Sequence, residues 1–150
     1  MTTLHLGVLD VPYTDSTGAT KTAKVAVASE TTGDVAGYLE AKYHVMEHFF
    51  ELHGAEIAED LVQSLSDAFE DLVSGAPAGL DPFGAATSAI EQRFREMLTK
   101  KELDALGYPG IPTKASLEGV NHRLKSKKGA PRPSFIDTGQ YQASFKAWID

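Results

Sequence analysis

The strongest helical signal in the chain is the stretch from Asp34 to Ser74, DVAGYLEAKYHVMEHFFELHGAEIAEDLVQSLSDAFEDLVS. Its apolar residues recur at steps of three and four, as Val35, Leu39, Tyr43, Met46, Phe49, Phe50, Ile57, Leu61, Leu65, Phe69 and Leu72. This spacing predicts an amphipathic helix with one apolar face. Thr31 or Thr32 supplies the N-cap, and Asp34 lies in the first turn. The region 34–74 therefore predicts one long helix or a helix pair divided at Gly54.

The length of this region bears on its role. An unbroken helix of about 40 residues would span roughly 60 Å at 1.5 Å per residue. A single domain of 150 residues is narrower than that. If the helix is unbroken, we expect it to be an assembly element rather than a core helix.

The flanking sequence predicts one domain of the α+β class, mainly helical, over residues 1–150. Residues 3–30 have two alternating apolar runs around a turn-forming segment, which predicts an N-terminal β-hairpin. Residues 81–106 predict a second amphipathic helix that begins after Asp81 and ends at Gly107. Residues 107–150 predict an extended basic loop and a C-terminal element. At 140–149 the aromatic spacing fits a helix or a strand, and periodicity does not decide between them.

The composition excludes several classes of protein. The chain has no cysteine, which excludes disulfides, cysteine-ligated metals and thiol catalysis. No run of about 18 apolar residues is present, so no membrane span is expected. The N-terminus has neither a basic region nor an apolar stretch, so we expect no secretory signal.

The net charge of −7 is unevenly distributed along the chain. Residues 1–75 hold 3 Lys+Arg against 13 Asp+Glu, whereas residues 76–150 hold 11 against 8. An acidic and a basic surface on one chain favour contacts between copies. Head-to-tail contacts of this kind generate rings or filaments. The alternative is that both surfaces are simply solvated.

One sequence pattern resembles a zinc site. His44, Glu47 and His48 match H-x-x-E-H, in which two histidines one helical turn apart bind zinc and the glutamate is the general base. Glu70 or Glu91 would supply the third ligand, and the protein would then be a zinc-dependent hydrolase. The alternative is an acidic amphipathic helix whose histidines pair with glutamates. We favour the second interpretation and expect no metal, no cofactor and no catalytic residue.

Two further patterns have both a chemical and a structural interpretation. Asp137-Thr138-Gly139 is the triplet of aspartic proteases, but only 11 residues follow Gly139, too few for a flap and further strands. A turn or a helix cap is the alternative that we favour. The basic run His122, Arg123, Lys125, Lys127, Lys128 and Arg132 suits phosphate binding. The pI near 5.2 argues against a nucleic-acid-binding module.

The segment Arg132–Phe145, RPSFIDTGQYQASF, resembles the closing motif of small virion proteins of tailed bacteriophages. These are head–tail joining, neck and tail-completion proteins, whose motif has the form Pro…Asp-Thr-Gly-x-Tyr/Leu-x-x-Ser. The stretches Thr31–Val35 and Glu40–Met46 are similar to structural proteins encoded among phage tail genes.

This resemblance implies a non-enzymatic subunit that forms a ring at the neck, tail or baseplate of a virion. Its partners would be further copies of the chain and other virion proteins, without membrane or nucleic acid. It would be assembled in the cytoplasm of the bacterial host. The motif residues, Ser144 among them, would shape a turn that launches the final element. The predicted assembly residues are Lys125, Lys127, Lys128, Arg132, Asp137, Thr138, Gly139, Tyr141, Phe145 and Trp148.

Overall fold

The computed structural model describes residues 2–12, 31–77, 79, 81–120 and 128–150. These residues contain two strands and six helices. In chain order they are β1 (Leu4–Val8), α1 (Thr32–Tyr43), α2 (Val45–Ser74), α3 (Gly84–Thr99), α4 (Glu102–Leu106), α5 (Lys114–Leu117), α6 (Gln140–Ser144) and β2 (Phe145–Ile149). The predicted fold class, α+β and mainly helical, is confirmed.

The sheet joins the two ends of the chain. β1 pairs antiparallel with β2, and the register places Leu4 opposite Ile149 and Val8 opposite Phe145. Backbone hydrogen bonds between Thr3 and Asp150 extend the ladder by one pair. The first strand of the predicted hairpin is therefore present, and its partner here is the C-terminal strand. The predicted turn and second strand fall on residues 13–30, outside the described residues.

The region 34–74 forms two helices, and the break lies at His44. This residue adopts the left-handed conformation, with φ 50° and ψ 44°. The carboxylate of Glu40 accepts the backbone N–H groups of Met46 and Glu47, at 2.8 and 3.1 Å, which caps the first turn of α2. Of the two alternatives the helix pair is correct, but Gly54 lies inside α2 and the break is ten residues earlier.

The single helix predicted over 81–106 is also divided. α3 ends at Thr99, Lys101 adopts a positive φ of 61°, and α4 begins at Glu102. Gly107, with φ 69°, ends α4 where the sequence places the stop. The C-terminal element contains both of the alternatives left open by its periodicity. Its first half is the helix α6, and its second half is the strand β2.

An aromatic cluster forms the centre of the core. Phe94 of α3 stacks on Phe145 of β2 with ring centroids 3.8 Å apart. Phe49 of α2 meets both rings edge-on, at 5.2 and 5.8 Å, and Tyr141 of α6 contacts Phe94 at 6.0 Å. Phe49, Phe94 and Phe145 are completely buried. This cluster fixes α2, α3 and the C-terminal element relative to one another.

α2 and α3 run antiparallel along one side of the molecule. Ser64 of α2 donates a hydrogen bond to the carbonyl of Pro82, just before α3. Asp60 pairs with Arg93 at 2.8 Å, and His53 pairs with Glu102, just beyond α3, at 2.9 Å. Ser64 is the last buried residue of α2, so the ten residues that follow are outside the core. No helix among the described residues has both the length and the apolar character needed to cross a membrane.

The N-terminus of α1 anchors the chain that follows β1. Thr32 is completely buried, and its hydroxyl accepts the Val11 N–H at 2.9 Å and donates to the Leu9 carbonyl. Thr31 caps the helix, and its side chain and that of Asp34 form a reciprocal capping box. The predicted N-cap and first-turn acid are confirmed.

We expect Thr32→Val to lower the free energy of unfolding by about 2 kcal/mol or more, because two backbone groups lose their partner. Thr32→Ser is the control, since it keeps the hydroxyl and loses one methyl group, worth about 1 kcal/mol. Urea denaturation of the three proteins measures the difference. A valine variant as stable as the serine variant would show that the hydroxyl does not anchor residues 9–12.

Candidate assembly surfaces

The second half of α2 carries large apolar side chains in contact with solvent. Val62, Leu65, Phe69 and Leu72 are exposed by 66, 51, 65 and 63 %. The sequence analysis placed Leu65, Phe69 and Leu72 on the same face as Ile57 and Leu61. The structure separates the two groups, because Ile57 is buried and Leu61 packs against the core. The helix therefore has a second apolar face.

This second face follows a heptad repeat. The exposed residues occur at alternating steps of three and four, as Ala55, Ala58, Val62, Leu65, Phe69 and Leu72. We call this set the α2 seam. Alternating steps of three and four place side chains in a narrow stripe, the arrangement through which helices pair in coiled coils. The heptad spacing is present in the sequence. Because the core residues of α2 also recur at steps of three and four, periodicity alone placed both sets on one apolar face.

The charge of α2 has a single sign. The helix contains eight acidic residues and neither lysine nor arginine. They are Glu47, Glu51, Glu56, Glu59, Asp60, Asp67, Glu70 and Asp71. Exposed lysines lie elsewhere among the described residues, and Lys100 and Lys101 follow α3 at the end of the helix pair opposite to Leu72. Acidic groups thus lie along the whole of α2, and Lys100 is paired with Glu96 at 2.6 Å.

The segment that resembles the phage motif is held in place by buried polar contacts. Ser134 is buried, and its hydroxyl accepts the Thr113 N–H at 3.1 Å. The guanidinium of Arg132 donates to the carbonyls of Val120 and Ile136 and lies 3.5 Å from the Asp137 carboxylate. This network attaches the motif to the chain before and after α5.

The triplet Asp137-Thr138-Gly139 forms the turn before the final element. Gly139 has φ 80° and caps α6, and the Thr138 hydroxyl accepts the Gln140 N–H at 3.4 Å. The Gln140 side chain donates to the carbonyl of Pro12 at 2.8 Å. The prediction that these residues shape a turn that launches the C-terminal element is confirmed.

Two predicted assembly residues belong to the core. Tyr141 is 3 % exposed and Phe145 is completely buried, so neither side chain has surface to offer a partner. This corrects their assignment, which arose because periodicity alone does not distinguish a core aromatic from an interface aromatic. Trp148 is 47 % exposed and stacks on His5, with ring centroids 5.3 Å apart. One face of its ring is therefore available.

The basic run is only partly described. Lys128 is exposed, whereas His122, Arg123, Lys125 and Lys127 lie outside the described residues. Arg132 is largely buried, and its donors are directed to backbone carbonyls of its own chain. Arg132 therefore links Val120 to the segment that contains Ile136 and Asp137. Lys128 is the described member of the run that faces solvent.

The H-x-x-E-H residues do not share one helix. His44 lies in the break between α1 and α2, and its Nδ1 contacts Glu47 at 2.8 Å. His48 lies in α2, where its Nδ1 contacts Glu51 at 3.0 Å and its ring stacks on Tyr108 at 3.7 Å. His44 still accepts the first backbone hydrogen bond of α2 from His48, and the two rings lie 6.3 Å apart, but each Nδ1 is directed to a different glutamate.

Within the described residues, the set of side chains close enough to share a cation is Glu40, His44 and Glu47, with ligand atoms within 4.8 Å of one another. His48 is outside this set, and the Glu40 carboxylate already caps α2. Of the proposed third ligands, Glu91 contacts Lys146 at 2.9 Å and Arg95 at 3.2 Å, and Glu70 is exposed on α2.

The shifted pKa values lie on the surface. Hydrogen bonds from the Thr31 side chain and the Gly33 N–H lower the pKa of Asp10. The Tyr38 and Tyr43 side chains raise the pKa of Lys42, and the Glu96–Lys100 pair lowers the pKa of the acid and raises that of the base. Each shift favours the form that is charged at neutral pH, so these groups stabilise local contacts.

Comparisons with protein-family models, curated proteins and solved structures find no match for this chain. The functional argument therefore depends on the geometry described above and on the resemblance of the C-terminal motif.

We expect Arg132→Met to lower the free energy of unfolding by about 1–3 kcal/mol, because two carbonyls and a carboxylate lose a charged donor. Lys128→Met, which removes the same charge four residues earlier at an exposed site, should change it by less than about 0.5 kcal/mol. Urea denaturation, followed by the fluorescence of Trp148, compares the two. Equal effects would mean that Arg132 is a surface cation like Lys128.

Proposed function

We propose that the protein is a non-enzymatic structural subunit of a tailed-phage virion, which assembles as a ring at the neck, tail or baseplate. The C-terminal motif, with its turn at Gly139 before α6, is the observation that carries this proposal, and the α2 seam supports association with a partner. Proteins that act as monomers rarely expose a contiguous row of large apolar side chains, and such a row marks a surface that a partner covers. Val62, Leu65, Phe69 and Leu72 form this kind of row.

The distribution of charge supports contacts between copies of the chain. Acidic side chains cover α2, and the basic run, whose described member Lys128 is exposed, belongs to the second half of the chain. A surface that attracts a different surface on the next copy produces a heterologous contact. Such contacts close into rings when the rotation between copies divides a full turn.

The C-terminal motif supports the virion assignment in particular. Its Asp-Thr-Gly turn precedes α6 and β2, and β2 pairs with β1. A motif that launches the final element is the role that the resemblance to phage neck and tail-completion proteins implies. The polar contacts of Ser134 and Arg132 support a structural role for this segment.

The direct test is the protein content of the particle. Particles encoded by the same genome should be purified on a density gradient, and their proteins quantified by mass spectrometry. The proposal expects peptides of this chain in the particle, in a fixed ratio to a major tail or head protein. Abundant expression in the cell without copies in the particle would refute it. Tightly bound zinc in the purified protein, at one ion per chain, would favour the hydrolase instead.

We expect simultaneous replacement of Lys125, Lys127 and Lys128 by glutamine to weaken the ring contact, because it removes three charges that the acidic surface attracts. Light scattering should give a smaller mass at low salt, while circular dichroism reports an unchanged helix content. Replacement of Lys42, Lys100 and Lys101 is the matched control, since it removes the same charge elsewhere. Equal masses for both triple variants and the parent would argue against an electrostatic contact through the basic run.

A further inference from the structure

We infer that α2 pairs with the α2 of a second copy of this chain, antiparallel, through the α2 seam. This contact goes beyond the proposed ring. It uses a different surface, it relates two copies by a two-fold axis, and it requires no other virion protein.

The length of the seam fits a helix pair. Its six positions run from Ala55 to Leu72, which is about 27 Å of helix at 1.5 Å per residue. The opposite side of the same stretch is occupied, because Ile57 and Ser64 pack towards α3. α2 is therefore fixed to the body of its own chain and presents the seam outward. A fixed helix loses little conformational freedom when a second helix binds.

The size of the seam residues selects the direction of pairing. An antiparallel arrangement centred between Val62 and Leu65 places Ala58 opposite Phe69 and Ala55 opposite Leu72. Every layer then joins a small and a large side chain or two of intermediate size, which fills the space evenly. A parallel arrangement would stack alanine on alanine at one end and phenylalanine on phenylalanine at the other. The same six residues therefore pack well in one direction only.

The residues beside the seam permit two acidic helices to approach. On one flank, following the heptad, are Glu59, Ser66 and Val73. The antiparallel arrangement brings Glu59 of each copy closest, on this flank, to Ser66 of the other. Glu56, Asp67 and Glu70 point away from the seam. The seam and this flank therefore place no two like charges in direct contact. The net negative charge of each helix still opposes association at long range.

This long-range repulsion separates self-pairing from the capture of a basic partner. Added salt screens charges over about 10 Å at 0.1 M. Pairing of α2 with α2 should therefore strengthen as salt rises, whereas the acid–base contact of the ring should weaken. The mass of the purified full chain, measured by light scattering across a salt series, distinguishes the two contacts.

Site-specific cross-linking tests the register. Because the chain has no cysteine of its own, every disulfide must involve an introduced residue. The variants Ala58→Cys and Phe69→Cys are purified separately, mixed, and oxidised under mild conditions. We expect disulfide-linked dimers that contain one copy of each variant, identified by their intact mass, and few from either variant alone. Glu70→Cys, which points away from the seam, is the negative control. Dimers within each single variant would indicate parallel pairing and overturn the register.

Substitution tests whether the seam holds the copies together. Leu65→Glu should raise the dissociation constant of the dimer by about 100-fold or more, because two charges enter the contact without partners. Gln63→Glu adds the same charge on the outward side of the same turn and should leave the dissociation constant nearly unchanged. Leu65 is half exposed, so the fold should survive, which circular dichroism checks.

The outcomes of these experiments are independent of the particle test. A cross-linked, antiparallel dimer formed by a chain that is missing from particles would support the pairing and refute the virion role. The opposite result is a chain that is present in particles, although its Ala58→Cys and Phe69→Cys variants do not cross-link and Leu65→Glu does not change its mass in solution. That result would refute the pairing and support the virion role.

Discussion

The contact on which the rest of the structure depends is the stacking of Phe94 on Phe145. Phe49 packs edge-on against this stacked pair. These three rings come from α3, β2 and α2, which are far apart in sequence. Because β2 is held by this stack, it can present its edge to β1 and bring the two ends of the chain together. Because α2 and α3 are both attached to it, their antiparallel packing is fixed at one end. Burial of three aromatic rings in one place thus joins three elements that are distant in sequence.

The same packing explains why α2 has two apolar faces with different roles. Its first half supplies Val45, Phe49 and Ile57 to the core, and all three are buried. The core ends near Ser64, but the helix continues for ten more residues to Ser74. Beyond that point the large apolar side chains, Leu65, Phe69, Leu72 and Val73, are exposed by half or more. A helix that is fixed at one end and apolar at the other is a preformed binding element, which is why we place the contact between copies there.

The sequence predicted the helices well because their periodicity is strong and local. The fold class, the cap at Thr31 and the stop at Gly107 all follow from residues close together in the chain. The breaks at His44 and Lys101 could not be predicted in the same way. Both residues adopt a positive φ without being glycine, a conformation that is maintained by tertiary contacts such as the capping of α2 by Glu40. The pairing of β1 with β2 is likewise a contact between distant residues that no local pattern encodes.

The candidate surfaces were harder to predict than the fold, for a related reason. An apolar residue at helical spacing looks the same whether its own chain or another copy covers it. Leu65 and Phe69 were therefore placed on the same face as the core residue Ile57, and the core residues Tyr141 and Phe145 were assigned to an interface. In the H-x-x-E-H pattern, each histidine contacts a glutamate, His44 with Glu47 and His48 with Glu51, an arrangement that the spacing of the residues alone does not distinguish from a metal site.

Two contacts with different symmetry would coexist on one chain in this view. The proposed acid–base contact would join unlike surfaces around a ring, whereas the proposed pairing of α2 with α2 would join like surfaces and stop at two copies. A molecule that makes both contacts forms two rings related by two-fold axes, with the α2 helices between them. If another virion protein instead covers one face of a single ring, it must compete with α2 for the same seam. A neighbouring virion protein that occupied the seam would separate a stacked pair of rings into single rings. The seam would then determine whether a second ring or the neighbouring protein binds first.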